Sequence, residues 1–269
     1  MTAHSFCLLA AATLLTGPSF AEQLRLDLVP QAVVRRRLES GKVSQTERQP
    51  KIRTLFEQVG CTVTDQRIDK HSGNVICTLP GQTRSTIVVG GHFDYIDRGQ
   101  GIVDDWSGAS LLPSLYTALK SQPRQHTYVF VAFGEEERGL IGSAKYVKSL
   151  TPEEKAGARA FVNLECLGLT PVKVWTHRSN PALVGLLNQV AKAVGITLMG
   201  VNVEKIGDDD THSFLPAHIP VISIHSVTQE TLSILHSSRD QADAIHFDDY
   251  YNAYRLVAFY LAHLDSQLE

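Results

Sequence analysis

Five side chains of the types that ligate divalent metals, His92, Asp104, Glu137, Glu165 and His236, stand at or just beyond apolar runs of strand length. Carboxylates mixed with imidazoles are the donor set of a hydrolytic zinc site, in which open positions on the ion polarise a carbonyl and activate water. His92 closes the apolar run 85–92, whose paired Gly90 and Gly91 let the backbone turn and approach an ion. Asp104 opens Asp104-Asp105-Trp106-Ser107-Gly108, which leads into a helical pattern over residues 109–120. Residues 127–134 read as another buried strand that runs straight into Glu135-Glu136-Glu137-Arg138-Gly139-Leu140, and residues 158–164 as a further one ending at Glu165. In an open α/β sheet, ligands collect beyond the carboxyl ends of the strands. Three predicted strands deliver acid or imidazole to that edge.

The scaffold that must hold these ends together is legible in the alternation of strands and helices from residue 87 onward, the pattern of a layered α/β sheet. Residues 29–60 read as two helices, with Val33, Val34 and Leu38 and then Ile52, Leu55 and Phe56 at helical spacing. Gly41-Lys42-Val43-Ser44 separates them, with Ser44 or Thr46 as the cap of the second. Residues 61–79 read as a hairpin through Lys70-His71-Ser72-Gly73, ended by Pro80-Gly81. Residues 181–194 form an amphipathic helix begun by Asn180 and Pro181. Residues 220–225 form a further buried strand, and residues 248–264 a closing helix with Leu256, Phe259, Tyr260 and His263 along one face.

The 269 residues, 43% hydrophobic, suffice for one substantial core, which favours one domain over two. A net charge of −3 leaves no basic footprint for nucleic acid. Residues 1–21 read as an export signal, in which Met1-Thr2-Ala3-His4 precedes an apolar core over 6–16 and then Gly17-Pro18-Ser19-Phe20-Ala21-Glu22. Residues 22–269 are then the single mature domain, periplasmic or secreted. The leading stretch is too short to span a bilayer and no other segment has the apolar length, so the mature chain is expected to have no membrane span. Cys7 lacks a small-residue lipobox and is read as part of the signal.

Cys61, Cys77 and Cys166 remain after that signal is removed. Cys61 and Cys77 lie on strand-like segments joined by a turn, and neighbouring antiparallel strands in an oxidising compartment predict a disulfide between them; two small buried thiols are the alternative. Cys166 is expected to be a small core residue after a strand end rather than a ligand, because no second cysteine lies at zinc-finger spacing.

Gly91-His92-Phe93-Asp94, Asp104-Asp105-Trp106-Ser107-Gly108, Glu136-Glu137-Arg138-Gly139-Leu140-Ile141-Gly142-Ser143 and His236-Ser237-Ser238-Arg239-Asp240 together resemble the successive signatures of zinc peptidase family twenty-eight. That family holds the bacterial leucyl aminopeptidases, aminopeptidase Y and glutamate carboxypeptidase II, with the glutaminyl cyclases as structural relatives. The resemblance covers residues 80–269, and four motifs in order make it specific where any one alone is weak. It implies a three-layer α/β/α sandwich around a mixed, mostly parallel sheet, the zinc-dependent exopeptidase type. It also implies two zinc ions about 3.5–4 Å apart, with a hydroxide held between them. Asp104 would be the bridging ligand, with His92 and Glu165 completing one site and Glu137 and His236 the other. Asp94 resembles the carboxylate that orients the histidine. Glu136 resembles the general base that takes a proton from the bridging water and later delivers it to the leaving amine.

The acidic run offers two base and ligand pairs. The resemblance places the ligand two residues before Gly139, which selects Glu137 as ligand and Glu136 as base and leaves Glu135 over; a solvated charge run at a helix start is the competing account. At Glu165 the best-known members carry aspartate, and glutamate is an equally hard carboxylate that reaches one methylene further. For the fifth ligand, His236 matches His-x-x-x-Asp, with Asp240 as orienting partner or local turn residue, while His225 and His246 stand as alternatives. His225 is expected more as a satisfied core histidine that could line the site, and His246 as a surface residue before the closing helix.

Asp208-Asp209-Asp210-Thr211-His212-Ser213-Phe214 resembles an acidic loop near the family's substrate pocket. It reads equally as a helix start with an acidic cap and as a binding element, in which Asp210 holds the substrate α-ammonium and His212 donates to the tetrahedral oxyanion, with His225 nearby. The whole points to an exported di-zinc metallo-exopeptidase, most concretely an aminopeptidase acting on a peptide with a free N-terminus. A glutaminyl-cyclase-like acyltransferase, typically working with one zinc, and a non-catalytic binding domain are the alternatives, and the complete ligand set with the Glu136-Glu137 pair favours the peptidase. Side-chain preference and oligomeric state are not encoded in these motifs.

Overall fold

The computed structural model describes residues 26–203 and 207–268. The segment read as an export signal, with Cys7, lies outside the described residues. Eight strands, β1 Val63–Arg67, β2 Gly73–Leu79, β3 Thr86–His92, β4 Thr127–Phe133, β5 Ala158–Glu165, β6 Lys173–Val174, β7 Met199–Gly200 and β8 Val221–His225, make one sheet in the order β1-β2-β4-β3-β5-β8-β6-β7. The central β4, β3, β5 and β8 run parallel, and β2 and β6 flank them antiparallel. This is the mixed, mostly parallel sheet that the sequence implies.

Parallel strands covered on both faces read as unbroken apolar runs, and their residues still alternate between the two faces. Ile87, Val89, Phe130 and Val162 point into the larger core. That core is closed by the helices α1 Gln31–Glu39, α2 Gln45–Gln58 and α3 Leu112–Leu119. On the opposite face, Val88, Val131, Phe133 and Phe161 meet Tyr146 and Val147 of α4 Ile141–Ser149. Phe161 also stacks on Phe214 with ring centroids 3.8 Å apart. The short α5 Pro152–Gly157 leads into β5, and α6 Pro181–Val194 and α7 Phe247–Gln267 pack on the larger core with Leu183, Leu187, Leu256 and Leu261. Helices on both faces of one sheet give the three layers.

Local chemistry sets the element ends. Ser44, not Thr46, caps α2, its backbone N–H donating to Glu47 Oε2 at 3.0 Å. Asn180 Oδ1 accepts from the backbone N–H groups of Ala182 and Leu183 at 2.9 and 3.4 Å, and Pro181 takes the first helical position of α6. The helical pattern expected over residues 109–120 is divided into a single turn, Ser107–Ala109, and α3. Pro113 is the cause, since it has no N–H for the carbonyl four residues back and its ring crowds that carbonyl.

β1 and β2 form the expected hairpin, with Val63 opposite Cys77. Its turn is closed by Asp69 Oδ1, which accepts from the backbone N–H groups of His71 and Ser72. Cys61 and Cys77 are joined in a disulfide with Cα atoms 6.1 Å apart, across a sequence separation of 16. Closing a loop of that length stabilises the folded chain by about 3 kcal/mol through the unfolded state. Replacing both cysteines by alanine should lower the unfolding free energy by about that amount, measured by urea denaturation. Two alkylatable thiols at positions 61 and 77 in non-reduced protein, or an unchanged urea midpoint, would refute the bridge.

Candidate metal centre

The carboxyl ends of β3, β4 and β5 lie side by side, and each hands its chain to a loop that carries donor atoms. His92 is the last residue of β3, and Phe93 N–H bonds to Phe133 O at 2.9 Å, which keeps the β3 and β4 ends together. The chain then loops to Gly101, whose left-handed backbone (φ 55°) starts the irregular turn Ile102–Trp106 carrying Asp104. The Asp104–Asp105 peptide is cis. After β4 come Glu135, Glu136 and Glu137, after β5 comes Cys166, and His236 lies between β8 and α7. Among the described residues, four of the five non-glycine residues with positive φ, namely Glu135, Leu140, Cys166 and His236, belong to this region. Backbone strain of this kind concentrates at functional sites, where the surrounding structure enforces it.

The five predicted ligand side chains meet in space. His92 Nε2 lies 3.2 Å from Asp104 Oδ1 and 3.5 Å from Glu165 Oε1. His236 Nε2 lies 3.0 Å from Asp104 Oδ2 and 3.1 Å from Glu137 Oε2. Asp104 thus presents one oxygen to each imidazole. Possible ligand atoms lie within 4.8 Å of one another in three overlapping groups, His92–Asp105–Glu165, His92–Asp104–Glu137 and Asp104–Glu165–Cys166. Glu137 Oε1 is buried with no hydrogen-bond partner, and His92 Nε2 is buried facing carboxylates alone. Buried polar atoms are costly without partners, and a divalent cation is the partner this donor set fits.

The charge state agrees with that fit. Burial, reinforced by the Asp210, Glu165 and Asp104 carboxylates and only partly offset by His92, pushes Glu136 up to about 10. Burial likewise raises Glu165, and it pushes Asp210 up to about 8. Burial works against ionisation of Asp104 too, yet hydrogen bonds from His236 and His92 overcome it and hold this carboxyl well below its ordinary value. Hydrogen bonds to Asp104 and Glu137 push His236 up to about 10.

A layer of aspartates holds these side chains through the main chain. Asp94 Oδ1 and Oδ2 accept from the backbone N–H groups of Glu136 and Glu137 at 3.0 and 3.1 Å. His92 Nδ1 lies 3.1 Å from Asp94 O and 3.5 Å from its Oδ1, so orientation of the ring falls to the carbonyl more than to the carboxylate. Asp105, which the sequence reading leaves without a role, accepts from the backbone N–H groups of His92, Gly108 and Cys166 and from the Ser107 hydroxyl. It ties β3, β5 and the Asp104 turn into one unit, and a carboxylate held mainly by main-chain amides leaves no side-chain pattern to find. Asp240 does not turn toward the His236 ring. Its oxygens accept from the backbone N–H groups of Val103 and Asp104 at 2.7 and 3.3 Å, fixing the Asp104 turn.

The other candidates divide. His225 Nδ1 accepts from Val227 N–H at 3.2 Å and its Nε2 donates to Val201 O at 3.1 Å, so both ring nitrogens are engaged. Burial holds it down to about 4, a neutral imidazole in the cavity wall. His246 caps α7 at the surface. Cys166 is a buried free thiol raised by burial, its Sγ 3.5 Å from Glu165 Oε1. The three aspartates of the acidic loop separate by task. Asp208 pairs with Arg178 and with His212, at 2.5 and 2.6 Å. Asp209 caps the single turn Thr211–Phe214 through Thr211 N–H and accepts from the Ser223 hydroxyl. Asp210 is fully buried and neither carboxyl oxygen has a hydrogen-bond partner. A cavity of about 440 Å³ opens over the centre, where Asp104, Glu136, Glu137, Glu165 and His236 face a wall of Leu140, Trp175, Val203, Val227, Leu232 and Leu235.

Comparison with known proteins places this arrangement. The profile of Peptidase family M28 matches residues 74–261, and the chain belongs to that family. An aminopeptidase of Pseudomonas aeruginosa is 34% identical over 96 residues, 35% of this chain and 18% of that protein. The zinc aminopeptidase structure from Bacillus subtilis aligns with a TM-score of 0.65 at 24% identity, over 74% of this chain and 50% of that one. The glutaminyl cyclase of Bacteroides thetaiotaomicron aligns with a TM-score of 0.73 at 16% identity, over 91% of this chain and 100% of that one. The chain spans between 18% and 59% of the lengths of the curated relatives it matches.

The titrating groups give a pH dependence with a definite sign. Without cations, Glu136 and Asp210 keep protons up to about 10 and about 8, and His236 keeps its proton to about 10. In the unfolded chain these groups lose their protons at their ordinary values, roughly 4–4.5 for the acids and roughly 6.5 for the imidazole. From about pH 5 to about pH 8 the folded chain therefore binds more protons than the unfolded one, and its stability falls as pH rises. Bound cations displace those protons. The difference in Tm between zinc-loaded and chelator-treated protein should widen steadily across that range, and a difference that does not vary with pH would contradict this account of the charges.

Proposed function

We propose that this member of peptidase family M28 is an exported aminopeptidase that holds two zinc ions and hydrolyses the first peptide bond of a substrate with a free N-terminus. The observation that carries the reading is the division of one carboxylate, since Asp104 turns Oδ1 to His92 and Oδ2 to His236. Each imidazole brings its own glutamate, Glu165 or Glu137, and two half-sites sharing a bridge suit a pair of ions. When bound, the ions supply Lewis acidity, polarising the scissile carbonyl and lowering the pKa of water.

Glu136 Oε2 lies 3.8 Å from His92 Nε2, on the cavity wall beside the ligand atoms. Cationic charge nearby would draw its carboxyl down from about 10 toward the working range of a base. There it would take the proton of the attacking water and give it to the leaving amine. Asp94 keeps base and ligand in register by holding both their N–H groups. Asp210, buried without a partner, would take the substrate α-ammonium, and the Leu140, Trp175, Val227 and Leu235 wall would receive the first side chain. In this reading His212 acts by pairing with Asp208 rather than by meeting an oxyanion, and His225 contributes shape. The disulfide supports a site of action in an oxidising compartment.

Substitution separates the roles. Glu136→Gln should lower kcat by on the order of 10²–10⁴ while zinc content persists. Glu137→Gln should lose zinc as well as rate, and Asp104→Ala should lose most bound zinc and all activity. A Glu136→Gln protein with full zinc and near-normal turnover would sink the mechanism. The assay should pair hydrolysis of aminoacyl anilides with cyclisation of a glutaminyl peptide. Cyclisation alone would assign the acyltransferase activity, and zinc binding with neither reaction would assign a binding domain.

A further inference from the structure

Arg48, on α2, is 0% exposed, and its guanidinium is held by main-chain carbonyls instead of a carboxylate. Its Nη1 donates to Phe93 O at 2.9 Å, and its Nη2 donates to Gly41 O at 3.2 Å and to Gln100 O. The Tyr95 ring lies 4.2 Å and the Trp106 ring 5.3 Å from the guanidinium carbon. A buried cation without a paired anion is unfavourable unless its donors find acceptors, so its partners identify its task.

Two of those partners, Phe93 and Gln100, lie at the two ends of one loop, and the third, Gly41, precedes α2. Phe93 follows His92, and Gln100 precedes Gly101, where the turn carrying Asp104 begins. The loop between them is the stretch of chain that joins the first imidazole, at the end of β3, to the turn that carries the shared carboxylate. Gln100 N–H also bonds to Asp240 O at 2.8 Å, which joins the gripped end to the residue that fixes Asp104. The carboxylates that act on the Arg48 charge are Asp240, Asp94 and Asp105. These are the three aspartates that hold the ligands through the main chain.

We infer that Arg48 is a positioning residue for the metal centre, setting the spacing of His92 and Asp104 by gripping both ends of their connecting loop. Its charge at the same time balances the three supporting aspartates. The inference rests on the two-ion reading above. Arg48 lies outside residues 74–261, the part matched by the family profile. It holds His92 and Asp104 through their own loop, whereas Glu137 and His236 are reached only at one remove, through Asp94 and Asp240. Loss of the grip therefore weakens the His92–Asp104–Glu165 ion more than the Glu137–His236 ion.

Cobalt(II) titration of chelator-treated protein, followed by visible d–d absorption, reads each ion without substrate. Four proteins are compared: native, Arg48→Met, Arg48→Lys and Arg53→Met. Arg53 is a partly exposed arginine of the same helix, paired with Glu57 and Asp65, and controls for disturbance of α2. Arg48→Met should lose on the order of ten- to hundred-fold in affinity for one cobalt ion, the loss typical of removing an outer partner of a ligand. Arg48→Lys, which keeps the charge but not the forked reach, should fall between, and Arg53→Met should match native. Steady-state kinetics at saturating metal should show kcat lowered more than KM is raised. Should Arg48→Met fail to fold, Arg48→Lys carries the test. Unchanged cobalt affinities in a folded Arg48 variant, or an equal loss in Arg53→Met, would overturn the inference. Native protein that takes up fewer than two cobalt ions would overturn the two-ion reading itself.

Discussion

The centre depends on how much negative charge can be kept in a buried place. Asp104, Glu136, Glu137, Glu165 and Asp210 crowd around two imidazoles, and water is largely excluded from the acids and from His92, while His236 is half exposed. Repulsion among like charges at these separations is strong where the effective dielectric constant is low. The acids therefore either keep protons, as Glu136 and Asp210 do, or share cations. Because the ligands repel one another, they do not position themselves. The work falls to the backbone, through left-handed residues such as Cys166 and His236 and through N–H groups held by Asp94, Asp105 and Asp240.

That division of labour explains what could be read from the residues and what could not. Strands buried on both faces leave continuous apolar runs, so β3, β4, β5 and β8 were recognisable, and so was the edge at which their loops emerge. β6 and β7 have two residues each, too few for any periodicity to register. The motif order was enough to name five side chains that do meet in space. The carboxylates that grip amides are only partly legible. Asp105 has no role in the sequence reading, and Asp240 reads as a partner of the His236 ring or a turn residue. Asp94 reads as a partner of His92, which its Oδ1 does approach to 3.5 Å, but not as the holder of the Glu136 and Glu137 amides. Any segment can supply an N–H group, so such bonds do not mark the sequence of their partner.

The acidic loop shows the same rule inside one tripeptide. Asp208, Asp209 and Asp210 are identical in composition, and both the capping account and the binding account could claim all three. The fold assigns them separately, with Asp208 in an ion pair, Asp209 on the Thr211 amide and Asp210 left buried without a partner. Capping and charge pairing are already met by the first two. Neither accounts for the third, which is fully buried while Asp208 and Asp209 line the cavity.

Glu165 is where the chain departs from the aspartate of the best-known family members, and its surroundings show how a longer side chain can serve. An extra methylene adds a torsion, and a ligand that samples more rotamers loses more entropy when an ion fixes it. Here that freedom is removed in advance. Asn163, two residues earlier on β5 and on the same face, donates from Nδ2 to Glu165 Oε2 at 3.0 Å. The other oxygen, Oε1, is left toward His92 Nε2 at 3.5 Å. The amide thus selects one carboxylate oxygen for the centre and anchors the second, so the added reach does not become added looseness. β5 pairs in parallel with β3 on one side and β8 on the other, and Glu165 stands opposite His225. With the backbone held in the sheet and the carboxylate held by Asn163, the longer side chain is fixed at both its root and its tip.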